Sequence, residues 1–199
     1  MAEPTLAAFL GLAKGRRGHF RLESGHHSAL WLDLDALFAD PGAIAPFAAA
    51  LTAQLRAHAI DVVCGPLLGG AFLAQLVAHA LEKEFCFSER QPSKAEGLYG
   101  VRYALPPAYR LRLRGRRVAL LDDVVSAGSA LRGTYGALHA EGAVPVVAGA
   151  LLVLGDLGAN FFVQEHLPLV AVLREAYELW APEACPLCAA RQPIEDVTS

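Results

Sequence analysis

Residues Val118–Ala130 read VALLDDVVSAGSA. The apolar run Val118–Leu121 specifies a buried strand, Asp122 and Asp123 follow at its carboxyl end, and Ser126-Ala127-Gly128-Ser129 leads into a helix. Small residues and a glycine let backbone approach an anion closely. The N–H groups of a helix start, with serine hydroxyls, then cradle a phosphate. Two adjacent carboxylates are unsuited to phosphate itself; they suit a ribose diol or an indirect contact with a divalent cation. One aspartate here would read as a helix N-cap. Two, followed by a loop of small residues, point to a site for a 5-phosphorylated ribose.

On either side of this stretch the pattern is strand, glycine turn, helix, strand, which predicts a mainly parallel sheet with crossover helices. Asp61–Cys64 is a short apolar strand, Ala71–Lys83 a helix, and Phe85–Ser88 a strand. Ser129–Glu141 is a helix, Val144–Leu154 a long strand, and Leu169–Leu173 a short final one. Towards the N-terminus, residues 4–16 form an amphipathic helix, His19–Glu23 and Leu30–Asp33 short strands about a turn at Ser24-Gly25, and Pro41 opens a helix reaching about His58. Sheets of this kind bind ligands at the carboxyl ends of their strands. A second loop therefore joins the first: Gly65-Pro66-Leu67-Leu68-Gly69-Gly70, whose glycines permit positive φ angles and close backbone approach to a ligand. By itself this loop reads equally as a tight turn or an anion site. Glu89–Arg114 lacks a period and is rich in Pro, Gly and Arg, as expected of a functional lid or a disordered segment, with an edge hairpin at Ala108–Leu113.

The chain has 199 residues, is 54% hydrophobic and 19% charged, and carries a formal net charge of −3. That is enough for one domain with a large core, and the mild acidity argues against nucleic acid as the main partner. No apolar run is long enough for a membrane span. The N-terminus places Glu3 and Pro4 before its apolar residues and its basic residues after them, the reverse of a secretory signal, so the cytoplasm is the expected compartment. Cys64 and Cys86 read as core thiols. Cys185-Pro-Leu-Cys188 has zinc-knuckle spacing but lacks a second CxxC or HxxxH, so an inert or weakly redox-active pair is the favoured reading over a metal site. His26 and His27 read as a surface turn in preference to a ligand contact.

The ribose-phosphate segment resembles the type I phosphoribosyltransferases, and the chain as a whole is most similar to the orotate enzymes among them. The resemblance implies one phosphoribosyltransferase domain over residues 1–199: an N-terminal hood (about 1–40), a core (about 41–175) and a C-terminal tail (176–199). It also implies a flexible lid loop and a homodimer. It assigns Asp122 and Asp123 to the ribose hydroxyls, and Val124, Val125, Ser126, Ala127, Gly128, Ser129 and Ala130 to the 5-phosphate loop. The loop Gly65–Gly70 would hold the diphosphate. Arg90 and Lys94 keep two of the lid's basic positions, with Lys94 as the main catalytic residue, while Gln91 and Glu96 replace a Lys and a His. Mg²⁺ would arrive bound to the phosphoribosyl diphosphate, near Asp122 and Asp123, with no direct protein ligand. Phe20, Leu22, Ser24, Gly25, Ser28 and Trp31 fit the family's N-terminal pattern, whereas Glu23 stands at a usual Lys. Ser24, Gly25, Trp31 and Gly155 are the candidate base side. The tail Ala181–Pro193 resembles a terminal feature of the orotate enzymes that is not a metal site. After the long strand the family's Asp-Arg is missing its Arg: the stretch is Val153-Leu154-Gly155-Asp156-Leu157-Gly158. Transfer of phosphoribose to orotate is the leading expectation. Two others stay open: a different base, neutral or read by backbone groups, and a non-catalytic protein that binds the donor.

Overall fold

The computed structural model describes residues 3–92 and 99–197. Helix α1 (Leu6–Leu12) starts at Thr5, whose hydroxyl accepts from the Ala8 N–H, and leads into the antiparallel strands β1 (Arg16–Arg21) and β2 (His27–Trp31). Helix α2 (Pro41–Leu55) has Pro in its first turn, where no amide donor is needed, and the Asp40 carboxylate accepts from the N–H groups of Gly42 and Ala43. Then come β3 (Val62–Pro66), α3 (Gly69–Leu81), β4 (Glu84–Gln91), β5 (Arg102–Ala104), α4 (Pro107–Leu113) and β6 (Arg117–Val125). They are followed by α5 (Ser129–Ala140), β7 (Val144–Leu154), α6 (Leu157–Gln164) and β8 (Leu169–Glu175). The chain closes with β9 (Leu179–Trp180), a single 3-10 turn at Pro182–Ala184, α7 (Pro186–Ala189) and β10 (Glu195–Asp196).

The central sheet runs β5-β4-β3-β6-β7-β8, parallel throughout except for β5, which lies antiparallel to β4. It is the mainly parallel, helix-flanked sheet expected. Both faces are covered, so β6 is apolar on both. Ala119 and Leu121 join the core beneath α2 and α3 with Leu51, Leu55, Leu73 and Val77. Val118 and Leu120 join the opposite core with Leu131, Leu138 and Phe162. Cys64 and Cys86 are register partners on β3 and β4, both buried and free, as core thiols should be.

A second sheet, β10-β1-β2-β9, joins the two ends of the chain. Its end strands are two residues each, too short for periodicity to disclose, and both come from the stretch 176–199. Arg16 forks onto both Glu195 carboxylate oxygens at 3.1 and 2.8 Å, and Arg21 pairs with Asp196.

The largest departure from expectation is Glu89–Arg114. Strand β4 runs on to Gln91 and pairs with β5, and Ala108–Leu113 is part of helix α4 and not an edge hairpin. The alternation Tyr-Arg-Leu-Arg-Leu imitates a strand. Pro107 at the first helical turn, Leu113 as the one fully buried anchor and Arg110 and Arg112 at the carboxyl end decide for helix. Helix α6 also departs from the sequence pattern, since it follows Gly155 and contains Gly158.

Candidate active site

Strands β3 and β6 are parallel neighbours, so the loops that follow them open at the same edge of the sheet. Strand β6 continues through both aspartates to Val125, beyond the expected end at Leu121, and this brings the carboxylates against the start of α3. A Cβ built on Gly69 would stand 2.0 Å from Asp123 Oδ2, and one on Gly70 would stand 2.7 Å from Asp122 Oδ1 and 2.8 Å from the Leu121 carbonyl. The glycines of this loop are therefore required by close approach. Positive φ, expected for Gly65, Gly69 and Gly70, occurs at none of them. The Leu67–Leu68 peptide is cis, and the Leu67 N–H donates to the Ser88 carbonyl at 2.9 Å.

Asp122 and Asp123 are 8% and 6% exposed. Burial, reinforced by the charge of Asp123, holds the Asp122 carboxyl well above the usual carboxylate range. Burial also raises Asp123, partly offset by the Val124 N–H, which donates to its Oδ1 at 2.7 Å. Two crowded, desolvated carboxylates form a site that gains from a cation or from hydroxyl donors.

The loop Ser126–Ser129 enters α5 through Gly128, whose φ of +74° is left-handed and free of strain only for glycine. Ser126–Ser129 is braced from outside by α6. The Gly158 N–H donates to the Ser126 carbonyl at 2.9 Å, and a Cβ on Gly158 would fall 2.6 Å from that oxygen. The turn after β7 thus belongs to the wall of this loop, a relation across some thirty residues that the local pattern could not show. A buried hydrogen bond of 2.7 Å between the Ser88 and Thr134 hydroxyls joins β4 to α5.

Arg90 lies near the end of β4, exposed and in register with Tyr103 of β5. Lys94 lies outside the described residues. Tyr103, unmarked by any motif, is drawn in: its ring packs on Gly133 of α5, and its phenol is raised by burial and by the charge of Asp122, with Arg90 opposing. The Arg132 guanidinium lies 3.8 Å from the Tyr99 ring centre and 4.4 Å from that of Phe161, tying Tyr99 to α5 and α6.

The candidate base-side residues fall into two places. Ser24 and Gly25 occupy the β1–β2 turn and Trp31 ends β2, where the Arg16 guanidinium sits 4.7 Å from its ring centre. Gly155 caps β7 in the central sheet, and a Cβ there would meet the Tyr177 carbonyl at 2.6 Å. Tyr177 links the two, since its phenol hydrogen-bonds Ser28 of β2. His26 and His27 separate. His26 stays in the turn against the Ser24 carbonyl, whereas His27 begins β2 and is buried, against its reading as a surface residue.

A mainly parallel sheet with a carboxylate pair and a glycine loop at the carboxyl ends of its strands, and a second, smaller sheet beyond, is the type I phosphoribosyltransferase fold. Solved structures agree. Orotate phosphoribosyltransferase from Aeropyrum pernix superposes with a TM-score of 0.66 at 24% identity, covering 85% of this chain and 93% of its own. Adenine phosphoribosyltransferase from Thermoanaerobacter pseudethanolicus gives 0.67 at 16% identity, covering 86% of this chain and all of its own. No family profile matches the chain. Among sequences, orotate phosphoribosyltransferase of Carboxydothermus hydrogenoformans is 33% identical over 179 residues, 89% of this chain and 87% of the relative. That of Thermus thermophilus is 32% identical over 180 residues, 90% and 92% of the two chains. The chain belongs to the orotate phosphoribosyltransferase family.

Proposed function

We propose that this protein transfers the 5-phosphoribosyl group from phosphoribosyl diphosphate to a ring nitrogen of orotate, giving orotidine 5'-phosphate and diphosphate. The observation that carries the reading is the convergence of two buried carboxylates on the Gly69-Gly70 backbone beside the Ser126–Ser129 loop. Asp122 and Asp123 accept from the ribose hydroxyls. The Ser126–Ala130 backbone and the start of α5 hold the 5-phosphate, and Gly65–Gly70 holds the diphosphate. The bond from the anomeric carbon to diphosphate breaks as the bond to the base nitrogen forms, so positive charge develops on the sugar and negative charge on the leaving group. Arg90 and Lys94 stabilise the departing diphosphate, and the closed lid excludes water from the donor. The desolvated carboxylate pair fits a Mg²⁺ ion held on the donor nearby; such an ion supplies charge neutralisation to the leaving diphosphate.

The chain acts as one domain, works in the cytoplasm as a homodimer, and uses the apolar side of α3 to pair. Phe72 and Leu76 of α3 are 48% and 39% exposed. Among the described residues no helix is long and apolar enough to cross a membrane. A second reading, a different base, is favoured by one observation: Leu157 stands after Asp156 where the family's motif places Arg, and it is exposed at the start of α6. The test is diphosphate release from labelled donor with Mg²⁺ and a panel of bases. Release with orotate supports the first reading, release with another base alone supports the second, and none with any base refutes both.

A further inference from the structure

We propose that His19, His27, Cys185 and Cys188 form a structural zinc site that fastens the C-terminal tail to the N-terminal sheet. The CxxC pair has no partner motif in the sequence, but the fold supplies two imidazoles from neighbouring antiparallel strands. Their four candidate ligand atoms lie within 4.8 Å of one another. His19 Nε2 and His27 Nδ1 are 3.3 Å apart. Cys185 Sγ is 3.4 Å from His19 Nε2, and Cys188 Sγ is 3.7 Å from the same atom and 3.3 Å from His27 Nδ1. A tetrahedral zinc with Zn–S of about 2.3 Å and Zn–N of about 2.0–2.1 Å has N–N edges of roughly 3.3–3.4 Å and N–S edges of roughly 3.5 Å. These four edges match that polyhedron, and the other two, from Cys185 Sγ to His27 Nδ1 and to Cys188 Sγ, lie within 4.8 Å.

The hydrogen-bonding pattern points the same way. His19 Nδ1 faces the Gln192 carbonyl at 3.0 Å, which fixes its proton there and leaves the Nε2 lone pair facing two sulfurs and the second imidazole. One lone pair cannot serve three converging groups; a central cation serves all four. A carbonyl bonded to the remote ring nitrogen is also the usual way a zinc-bound histidine is oriented. His19, His27 and Cys185 are buried, and four protein ligands leave no open position, so the ion is structural and does not bind substrate. On binding, the two thiols release their protons to solvent and bind as thiolates.

The test uses the full chain without a histidine tag, purified in a thiol-free phosphine reductant. Metal analysis after gel filtration should give about one zinc per chain, consistent with a closed four-ligand site. Replacing zinc by Co²⁺ should give visible d–d bands of tetrahedral intensity and a near-ultraviolet thiolate charge-transfer band. Cys188→Ser, at the exposed ligand, and His27→Gln should each reduce retained zinc at least tenfold. Metal-free wild-type protein should melt lower and recover on adding one equivalent of Zn²⁺. Zinc absent from reduced protein even after titration, octahedral cobalt spectra, or equal retention in both variants would overturn the proposal. So would a Cys185–Cys188 disulfide that persists under reductant.

Discussion

Gly69→Ala puts the donor site to a quantitative test. The new methyl carbon would be placed 2.0 Å from Asp123 Oδ2 and 2.8 Å from its Cγ. Non-bonded heavy atoms settle at about 3.5–4.0 Å, so the carboxylate must retreat by roughly 1.5 Å. Asp123 Oδ1 accepts from the Val124 N–H at 2.7 Å, and such a retreat breaks that bond together with the contact to the ribose hydroxyls. A hydrogen bond to a charged group contributes about 1.5–3 kcal/mol, which is a loss of roughly 10- to 150-fold in donor affinity. Stability should fall by a similar amount, because the Val124 N–H bond is lost in the ligand-free protein as well, while the obstructing atoms belong to a side-chain end and leave the backbone in place. Gly136→Ala is the control: it lies exposed in α5 with nothing within 4 Å of its Cβ position. It should leave donor affinity unchanged and raise stability by about 0.5–1 kcal/mol, a Tm gain of roughly 1–4 °C. Titration calorimetry with phosphoribosyl diphosphate and Mg²⁺, with thermal melts of both variants, reads the comparison. Wild-type donor affinity in Gly69→Ala would refute the placement of Asp123 at the ribose.

Asp122→Asn should abolish donor binding by calorimetry yet raise the melting temperature of the ligand-free protein at neutral pH. The sign follows from burial. A carboxyl whose folded pKa is raised lends stability below its unfolded value, near 3.9, and loses it as pH rises through the folded value, so the ionised form is a burden that Asn removes. The gain should vanish at pH 4 and below, and a lowered Tm at pH 7.5 would contradict the burial argument. Lys94→Ala should leave the donor Kd within a few-fold and cut kcat by at least about a hundredfold if the lysine acts on developing charge; full single-turnover activity would dismiss that role. Leu157→Arg, restoring the family's Asp-Arg at the start of α6, should lower KM for orotate about tenfold or more through a charge-assisted pair. An unchanged KM would place the acceptor carboxylate elsewhere.

The parts of the fold that sequence reading could reach are those where pattern and chemistry coincide within a dozen residues. Residues 118–130 disclosed strand, carboxylate pair and loop together, because a buried β-strand and a small-residue turn each leave a local trace. Even there the strand runs to Val125, four residues past the apolar stretch: aspartates look like loop, yet here they are strand residues held by Gly69 and Gly70 from another element. Helix α4 was hidden by arginines and leucines alternating at a strand-like period. The bracing of Ser126 by Gly158, and of Gly155 by the Tyr177 carbonyl, are backbone contacts between distant segments and leave only unexplained glycines in the sequence. The meeting of His19 and His27 with Cys185 and Cys188 was out of reach for the same reason: a cross-strand pair and a tail turn share no sequence spacing.

The sheet β10-β1-β2-β9 also sets a schedule for the newborn chain. Strands β1 and β2 leave the ribosome early, but Arg21 must wait for Asp196, 175 residues later, and His27 for Trp180. At about 5–20 residues per second that wait is roughly 9–35 s. Through it the hairpin stands with both edges unpaired, an invitation to pairing with other chains. Arg16, Arg17 and Arg21 on β1 are suited to that interval. Their charges discourage strangers at the edge until Glu195 and Asp196 arrive to claim two of them, and the sheet begun at β1 is complete only once β10 has joined it.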